Sequence, residues 1–436
     1  MNSYSNTLEY LYSLQHRGMK FGLRNTRTLL ASVGNPHERF PSIHIAGTNG
    51  KGSTASFLAS IAMEAGYRTA LYTSPHLLRF TERIRINGKE ITQRRLIGYA
   101  KLLRPAIESV RATFFEATTC IAFQYFADEE VDLAIIETGL GGRLDATNVL
   151  VPLISVITNV SLEHREYLGN TLTAIAREKG GIIKAGIPCI TGSENIEVNT
   201  VLRKLAKKKE AGFFQAGKIV SIHSKQQRGR GVVTSLRSNN INVPVGRTGL
   251  AGSHQIVNAR LAVATLEVLR RNRELRSTFE KIPSAAVGRG LRHVRANTGI
   301  RGRLETLGRK QRYILDVAHN PAGVQTLVEV LLQMGLSNLV VVFGVMRDKE
   351  YVPMLQELAK IAKIFVAVAP KMPRAMASRK LATHLKKSGW KTVRADSVSE
   401  GIKIADEIAG RSGRVLATGS HFVVSEALAT LTRKKA

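Results

Sequence analysis

Short apolar runs recur along the chain, separated by stretches in which apolar residues return every three or four positions. The runs at 42–46, 68–72, 133–137, 153–158 and 188–191 have the length and β-branched content of buried strands. Between several of them, 53–65, 118–128 and 172–179 carry helical patterns. That alternation predicts a largely parallel sheet covered by helices. Residues 218–250 read differently, with Val and Ile alternating with polar residues and broken by Gly229, Gly231, Asn239 and Asn240, as in an antiparallel meander. A helix is expected over 258–270, and then a second series of strands at 313–317, 339–345, 364–369, 392–395 and 415–418, with helices between them. The Gly- and Arg-rich stretch 288–302 reads as a linker.

Composition agrees with two globular α/β domains. At 436 residues the chain is too long for one ordinary core, and its 44% apolar and 22% charged content is that of a soluble protein. Cys120 and Cys189 sit in apolar runs without a CxxC partner, which fits a reducing compartment. The N-terminus has no basic segment leading into an apolar core, and no run reaches the ~18 apolar residues that span a bilayer. A cytoplasmic monomer without membrane association is expected. Sixty-four Lys and Arg against 33 Asp and Glu give a net charge of +31, a field that favours polyanions. The basic residues are spread along the chain, however. The densest cluster, 203–209 with 225–230, lacks interleaved aromatics, so it reads as a solvated helix face and loop, and no specific nucleic-acid partner is expected.

Chemistry concentrates in a few segments. The first is GTNGKGS, Gly47 to Ser53, between a predicted strand and a predicted helix. Glycines let backbone N–H groups approach phosphate oxygens, the helix N-terminus adds partial positive charge, and Lys51 adds a full one. A glycine separates Lys51 from Ser53, unlike the common GxxxxGK[ST] loop. A glycine-rich turn can also serve simple chain reversal. In VDLAIIETGLGGRLDATN an apolar strand ends in Glu137, where a parallel sheet opens its ligand crevice. A carboxylate there suits Mg²⁺ held against phosphate, or merely caps the next turn. A further strand leads to Glu163 and His164, whose imidazole could serve a second metal, and Lys179 lies at the end of the following helix. In YTSPHLLRFTERIRING, Ser74 follows a strand and could join a metal shell. Arg79, Arg83 and Arg85 suit an anionic substrate, and the same spacing also describes a solvated strand face.

GTNGKGS, SPHL with RFTERIRI, GLGGRLDATN, the EH and AREKGGI pair, GRLE, LDVAHNP, GVMRDKE and ATGSHF occur in this order. With them the chain resembles the folylpolyglutamate synthase/dihydrofolate synthase family, within the Mur-ligase-like ATP-dependent amide ligases, from about residue 20 to the C-terminus. The resemblance implies two domains. Residues 1–293 would form a Mur-ligase-like P-loop ATPase domain binding ATP and pterin, with a central mainly parallel sheet and a small antiparallel one. Residues 294–436 would form a Rossmann-like α/β glutamate ligase domain.

It also implies residue roles. Thr48, Asn49, Gly50, Lys51, Gly52 and Ser53 would wrap the nucleotide phosphates. Ser74 and Glu137 would ligate a first Mg²⁺ and His164 a second, with Lys179 carbamylated to help hold the latter. Asn258 and Arg303 would contact ATP, the arginine facing the transferring phosphoryl group. Asp316 and His319 would serve nucleotide and glutamate, and Ser420 the glutamate side. Phe114, Phe115, Glu116 and Asp145, with Lys20, Phe21 and Gly22, would bind the pterin. Two departures stand out: Glu163-His164 replaces the common Asp-His, and Gly180 follows Lys179 where Ala is usual, which is expected to loosen that helix end.

The chemistry implied is ATP-dependent transfer. The carboxylate of dihydropteroate or a reduced folate would take the γ-phosphoryl group of ATP, and L-glutamate would displace phosphate from the acyl phosphate. Closure of two domains would shield that intermediate from water. Competing readings fit less well. A peptidoglycan-precursor ligase usually carries a UDP-binding domain before the loop, and only 46 residues precede Gly47. A P-loop GTPase would need neither the pterin-like segment nor LDVAHNP.

Overall fold

Every position of β1 (Ser42–Ala46) is buried, so this strand needs neighbours on both edges and helices on both faces. The computed structural model describes residues 3–18, 20, 22–227, 231–244, 248–272, 279 and 282–433; Phe21, Gly229 and the basic positions 228 and 230 lie outside the described residues. Around β1 an eight-stranded sheet assembles from β2 (Thr69–Tyr72), β3 (Ile84–Ile86), β4 (Lys89–Glu90), β5 (Leu133–Glu137), β6 (Ile154–Ile157), β7 (Cys189–Thr191) and β8 (Phe213–Gln215). The order is β4-β3-β2-β5-β1-β6-β7-β8. Only β3 runs against the other strands, β4 being antiparallel to it in turn, so the loops after β1, β2, β5 and β6 all leave from one edge of the sheet. The alternating segment forms an antiparallel meander of β9 (Ser221–Gln227), β10 (Gly231–Arg237) and β11 (Asn242–Pro244), as its pattern predicts.

The chain divides into two compact units, Met1–Gly249 with Gln255–Ile300, and Leu250–His254 with Arg301–Ala436. The second unit is built on a six-stranded sheet of β12 (Glu305–Leu307), β13 (Tyr313–Leu315), β14 (Leu339–Phe343), β15 (Ala362–Ala367), β16 (Thr392–Arg394) and β17 (Val415–Thr418). Its order is β12-β13-β17-β14-β15-β16, parallel except for β12. The short strand β12 carries no apolar run and has no signal in the sequence pattern. Among the described residues, no helix is long and apolar enough to cross a membrane.

Two helices differ from the pattern. The helix Phe114–Asp128 begins four residues before the apolar periodicity, because Thr113 and Glu116 close a reciprocal capping box at its start. The larger correction concerns 288–302. Most of it lies in the helix Ser284–Thr298, which packs along the helix Lys51–Glu64. Gly290 marks a helix contact here and not a loop: a Cβ on it would lie 2.5 Å from Ile61 Cα. Its carbonyl accepts from Ser60 Oγ at 2.7 Å. The basic residues have a partner too. Glu64 receives Arg289 Nε at 2.8 Å, Asn297 Nδ2 at 3.0 Å and lies 3.0 Å from His293 Nδ1.

Glu64 supplies a pH-dependent term. Burial pushes its pKa up, but the hydrogen bonds from Asn297, His293 and Arg289 outweigh that and hold the carboxyl at about 2, against an ordinary 4.5. The folded state therefore binds fewer protons than the unfolded chain in that interval. The contribution is complete above about pH 4.5 and is lost as the pH falls towards 2. Glu64→Gln is expected to lower stability by on the order of 2 kcal/mol near neutrality. In urea titrations at stepped pH, the gap from wild type should close below the ordinary carboxylate range. A gap constant with pH would rule out this account.

Candidate active site

The loop after β1 is shaped by its glycines. Gly47 (φ 153°) lies so close to the β6 end that a Cβ would meet Thr158 Oγ1 at 1.8 Å. Gly50 is left-handed (φ 83°), and a Cβ there would lie 2.5 Å from Asn258 Oδ1. These two positions thus require glycine, one through contact and one also through backbone conformation. Residues 158–161 prop the loop from below. Thr158 Oγ1 donates to Asn49 O at 2.7 Å, Asn49 N donates to Asn159 Oδ1 at 2.8 Å, and Thr48 N donates to Asn159 O at 2.9 Å. Ser161 N donates to Thr48 Oγ1 at 3.0 Å. Thr158 ends the predicted strand 153–158 and residues 159–161 read only as the loop after it, so their role as the support of the glycine loop had no signal in the sequence.

Two ammonium groups share one carbonyl. Lys51 Nζ donates to Gly47 O at 3.0 Å and Thr48 O at 3.2 Å. Lys179 Nζ donates to the same Gly47 O at 2.8 Å. Lys179 is buried, and its pKa is pushed down to about 7 by burial, with the Lys51 charge adding; Glu163 and Asp145 act in the opposite direction. An ordinary helix-end lysine would reach solvent, whereas this one points into the sheet edge. The helix Leu172–Gly180 is continuous through Gly180, contrary to the expected loosening. Leu205 Cδ1 fills the space of the missing methyl, 2.5 Å from where a Cβ would be, so packing replaces side-chain stiffness.

The register places Glu137 beside Ile45, two residues before Gly47, and Ile136 beside Tyr72, two residues before Ser74. Ser74 and Glu137 meet directly, the Ser74 amide donating to Glu137 Oε2 at 3.1 Å. A hydroxyl and a carboxylate at the phosphate loop are hard oxygen donors that suit Mg²⁺, which takes one or two carboxylates and completes its octahedron with water and phosphate oxygens. His164 opens the short helix Arg165–Leu168 in a left-handed conformation (φ 52°), with Nε2 3.8 Å from Glu163 Oε1. Among the described residues no group of three or more His, Cys, Asp or Glu forms a metal cluster.

The pterin-type positions divide. Phe115 covers Gly139, where a Cβ would lie 2.5 Å from its ring. Asp145 is buried beneath the same turn and accepts from Gly139 N at 2.8 Å, Leu140 N at 2.9 Å and Thr147 Oγ1 at 2.5 Å. Burial raises its pKa, and these hydrogen bonds oppose the rise. Phe114 stacks on Tyr12 at 5.7 Å between ring centres. Glu116 turns back to accept from Thr113 N at 2.6 Å, so its carboxylate serves the helix cap. Lys20 Nζ donates to Arg111 O at 2.7 Å, and Gly22 has φ 141°.

The remaining residues belong to the second unit. Asp316, at the end of β13, accepts from Leu304 N at 2.8 Å and Ala318 N at 2.9 Å, which ties the Arg303 segment to the sheet. Burial lowers the pKa of neighbouring His254, Asp316 opposes this, and Arg303 adds to it. His319 lies with its ring centre 5.1 Å from that of His421. Ser420 Oγ accepts from Val423 N at 3.1 Å at the start of the helix His421–Arg433. Asp316, His319 and Ser420 thus sit where the adjacent parallel strands β13 and β17 end.

Known proteins share this architecture. The Mur ligase middle domain matches residues 45–266 and the Mur ligase glutamate ligase domain residues 302–421. The dihydrofolate synthase/folylpolyglutamate synthase of Bacillus subtilis is 33% identical over 97% of this chain and 98% of its own length. The folylpolyglutamate synthase of Lacticaseibacillus casei is 32% identical over 86% of this chain and 87% of its own. Among solved structures, Escherichia coli FolC in complex with DHPP and ADP superposes with a TM-score of 0.86 at 27% identity, covering 100% of this chain and 99% of that one. Folylpolyglutamate synthase from Thermotoga maritima gives 0.81 at 32% identity, covering 99% and 97%. Two Mur ligase domains in order and likeness along the whole length place the result beyond fold alone: the chain belongs to the folylpolyglutamate synthase/dihydrofolate synthase family of Mur ligases.

Proposed function

We propose that this protein is an ATP-dependent ligase that adds L-glutamate to dihydropteroate and to the γ-carboxylate of reduced folates through an acyl phosphate. The observation that carries the reading is the propped glycine loop with Lys51 and the buried Lys179 on its Gly47 carbonyl. The names of the full-length relatives support both activities, and the complexes of relatives with ADP and AMPPCP support the nucleotide.

The residues divide the work as follows. Thr48 and Asn49 hold the loop on Asn159, the backbone N–H groups of 50–52 and Lys51 bind the nucleotide phosphates, and Asn258 lies against the loop to contact ATP. A carboxylate oxygen of the substrate attacks the γ-phosphorus, the bond to the β-phosphate oxygen breaks, and ADP leaves. Lys51 and Arg303 offset the charge that develops. The glutamate amine then attacks the acyl carbon, phosphate departs, and the amine's proton is released. His319, Asp316 and Ser420 serve glutamate and nucleotide. Ser74, Glu137 and His164 would hold Mg²⁺, which supplies charge neutralisation at the phosphates when bound. Phe114, Phe115 and Asp145 would hold the pterin.

Lys179 is proposed to be carbamylated. Its neutral amine adds to CO₂, losing one proton, to give a carbamate whose anionic oxygens can join a metal shell. A pKa pushed down to about 7 supplies the neutral amine that this addition needs. The carbamate would also place an anion beside Lys51, where two cations otherwise face each other.

Three outcomes test this reading. With ATP, Mg²⁺ and L-glutamate, the purified protein should release ADP in a glutamate-dependent way with dihydropteroate or tetrahydrofolate; no such release with either defeats the assignment. Lys179→Ala should lower kcat by roughly a hundredfold, with partial rescue by short carboxylates, and the carbamate signal from ¹³C-bicarbonate should vanish; full activity of the variant counts against the modification. Gly50→Ala should raise the KM for ATP at least about tenfold, since a methyl group would collide with Asn258 and strain the left-handed turn; an unchanged KM would show that the loop tolerates both.

A further inference from the structure

The three arginines of the segment RFTERIRI are treated differently by the fold. Arg79 and Arg85 share the Glu90 carboxylate, at 2.6 and 3.2 Å. Arg83 is buried to 7% exposure and forms no ion pair among the described residues. Its Nε donates to His76 Nδ1 at 2.8 Å, and its guanidinium carbon lies 5.3 Å from the centre of the Phe114 ring. No hydrogen bond from Nη1 or Nη2 to a described residue accompanies these contacts. The nearby carboxylates are otherwise engaged. Glu82 accepts the backbone amides of Leu77, Leu78 and Arg79, and Glu137 accepts that of Ser74. Burial is the largest influence on Arg83, and the charges of Glu137 and Glu82 oppose it.

Arginine cannot shed its proton to escape burial, so an unneutralised guanidinium needs an anion from elsewhere. Its surroundings keep it ready. The His76 imidazole accepts from Arg83 Nε at Nδ1, while its Nε2 faces Tyr12 Oη at 3.4 Å. Tyr12, Phe80 and Phe114 form an aromatic wall around the group. The Arg83 carbonyl accepts from Thr73 N at 3.1 Å, which fixes the residue one position away from Ser74 at the edge where the phosphate loop opens.

We infer that Arg83 is the anchor for a carboxylate of the pteroyl substrate, received in the planar fork of its Nη atoms beside Phe114, an inference that rests on the ligase reading above. A planar fork matches a carboxylate bidentately, and the nucleotide phosphates already have the glycine loop. The carboxylate has two sources: the benzoate of dihydropteroate, or the α-carboxylate of a folate that already carries glutamate.

Equilibrium binding of dihydropteroate and of tetrahydrofolate to the full-length wild type and to Arg83→Met separates them. The variant should lose about 30-fold or more in affinity, while its ATP affinity stays unchanged. Loss with dihydropteroate alone assigns the benzoate, loss with tetrahydrofolate alone assigns the α-carboxylate, and loss with both assigns each in turn. Because the substitution removes an uncompensated buried charge, the melting temperature of the ligand-free variant should hold or rise, whereas a purely structural arginine would lower it. A dihydropteroate analogue without the carboxylate provides a test that needs no variant, and it should bind wild type as weakly as the acid binds Arg83→Met. Equal affinity of wild type for the acid and this analogue, together with undiminished tetrahydrofolate binding by the variant, overturns the inference. Wild type that binds neither pterin defeats the ligase reading and the anchor together.

Discussion

Positive charge held in a buried place without its counter-ion is the constraint on which this site depends. Lys51 and Lys179 donate to one carbonyl oxygen, and one carbonyl cannot neutralise two ammonium groups. The protein answers in two ways. Burial lowers the affinity of Lys179 for its proton, and the hydrogen-bonded loop keeps both amines in place. Such an arrangement favours whatever brings negative charge, whether phosphate oxygens or a carbamate. Arg83 repeats the principle at the neighbouring strand end, where burial outweighs the opposing charges of Glu137 and Glu82 and no described carboxylate forms an ion pair with it.

The sheet makes this concentration of charge affordable. The parallel strands β2, β5, β1 and β6 lie side by side and end together, so Ser74, Glu137, the glycine loop and residues 158–164 emerge at one edge. Their backbones are paired below that edge, which leaves loop N–H groups and side chains to serve ligands. The glycine contacts show how closely the pieces fit. Gly47 touches Thr158, and Gly139 touches Phe115. Helix packing beneath continues the pattern, with Gly290 seated on Ile61 and Glu64 gripping the helix Ser284–Thr298 through three side chains.

Much of this was legible in the sequence, for definite reasons. Strands β1, β5 and β6 are apolar at nearly every position because both faces are covered, and such runs stand out against polar flanks. The meander β9–β11 was visible through its alternation. The loop from Gly47 to Ser53 was legible because no residue but glycine permits its turn and its contact. Other features left no local signal. The helix Ser284–Thr298 looked like a linker since its glycines serve a helix contact that periodicity does not report. β12 is too short and too polar to register. Nor did the sequence show that the Glu116 carboxylate closes a helix cap or that Asp145 gathers the amides of its own turn.

The sequence by itself determined the two α/β series, the family, the phosphate loop and the residue types available for chemistry, because those follow from periodicity and from ordered motifs. Tertiary structure alone decided which charged groups are neutralised. Arg79, Arg83 and Arg85 are chemically identical and lie within seven residues, yet two meet Glu90 and one meets a neutral imidazole and a phenyl ring. Lys179 resembles any lysine at a helix end until the Gly47 carbonyl is placed above it. Burial and partner are properties of packing, since the groups that supply them come from distant parts of the chain, and that is why a side chain's charge state cannot be read from its neighbours in sequence.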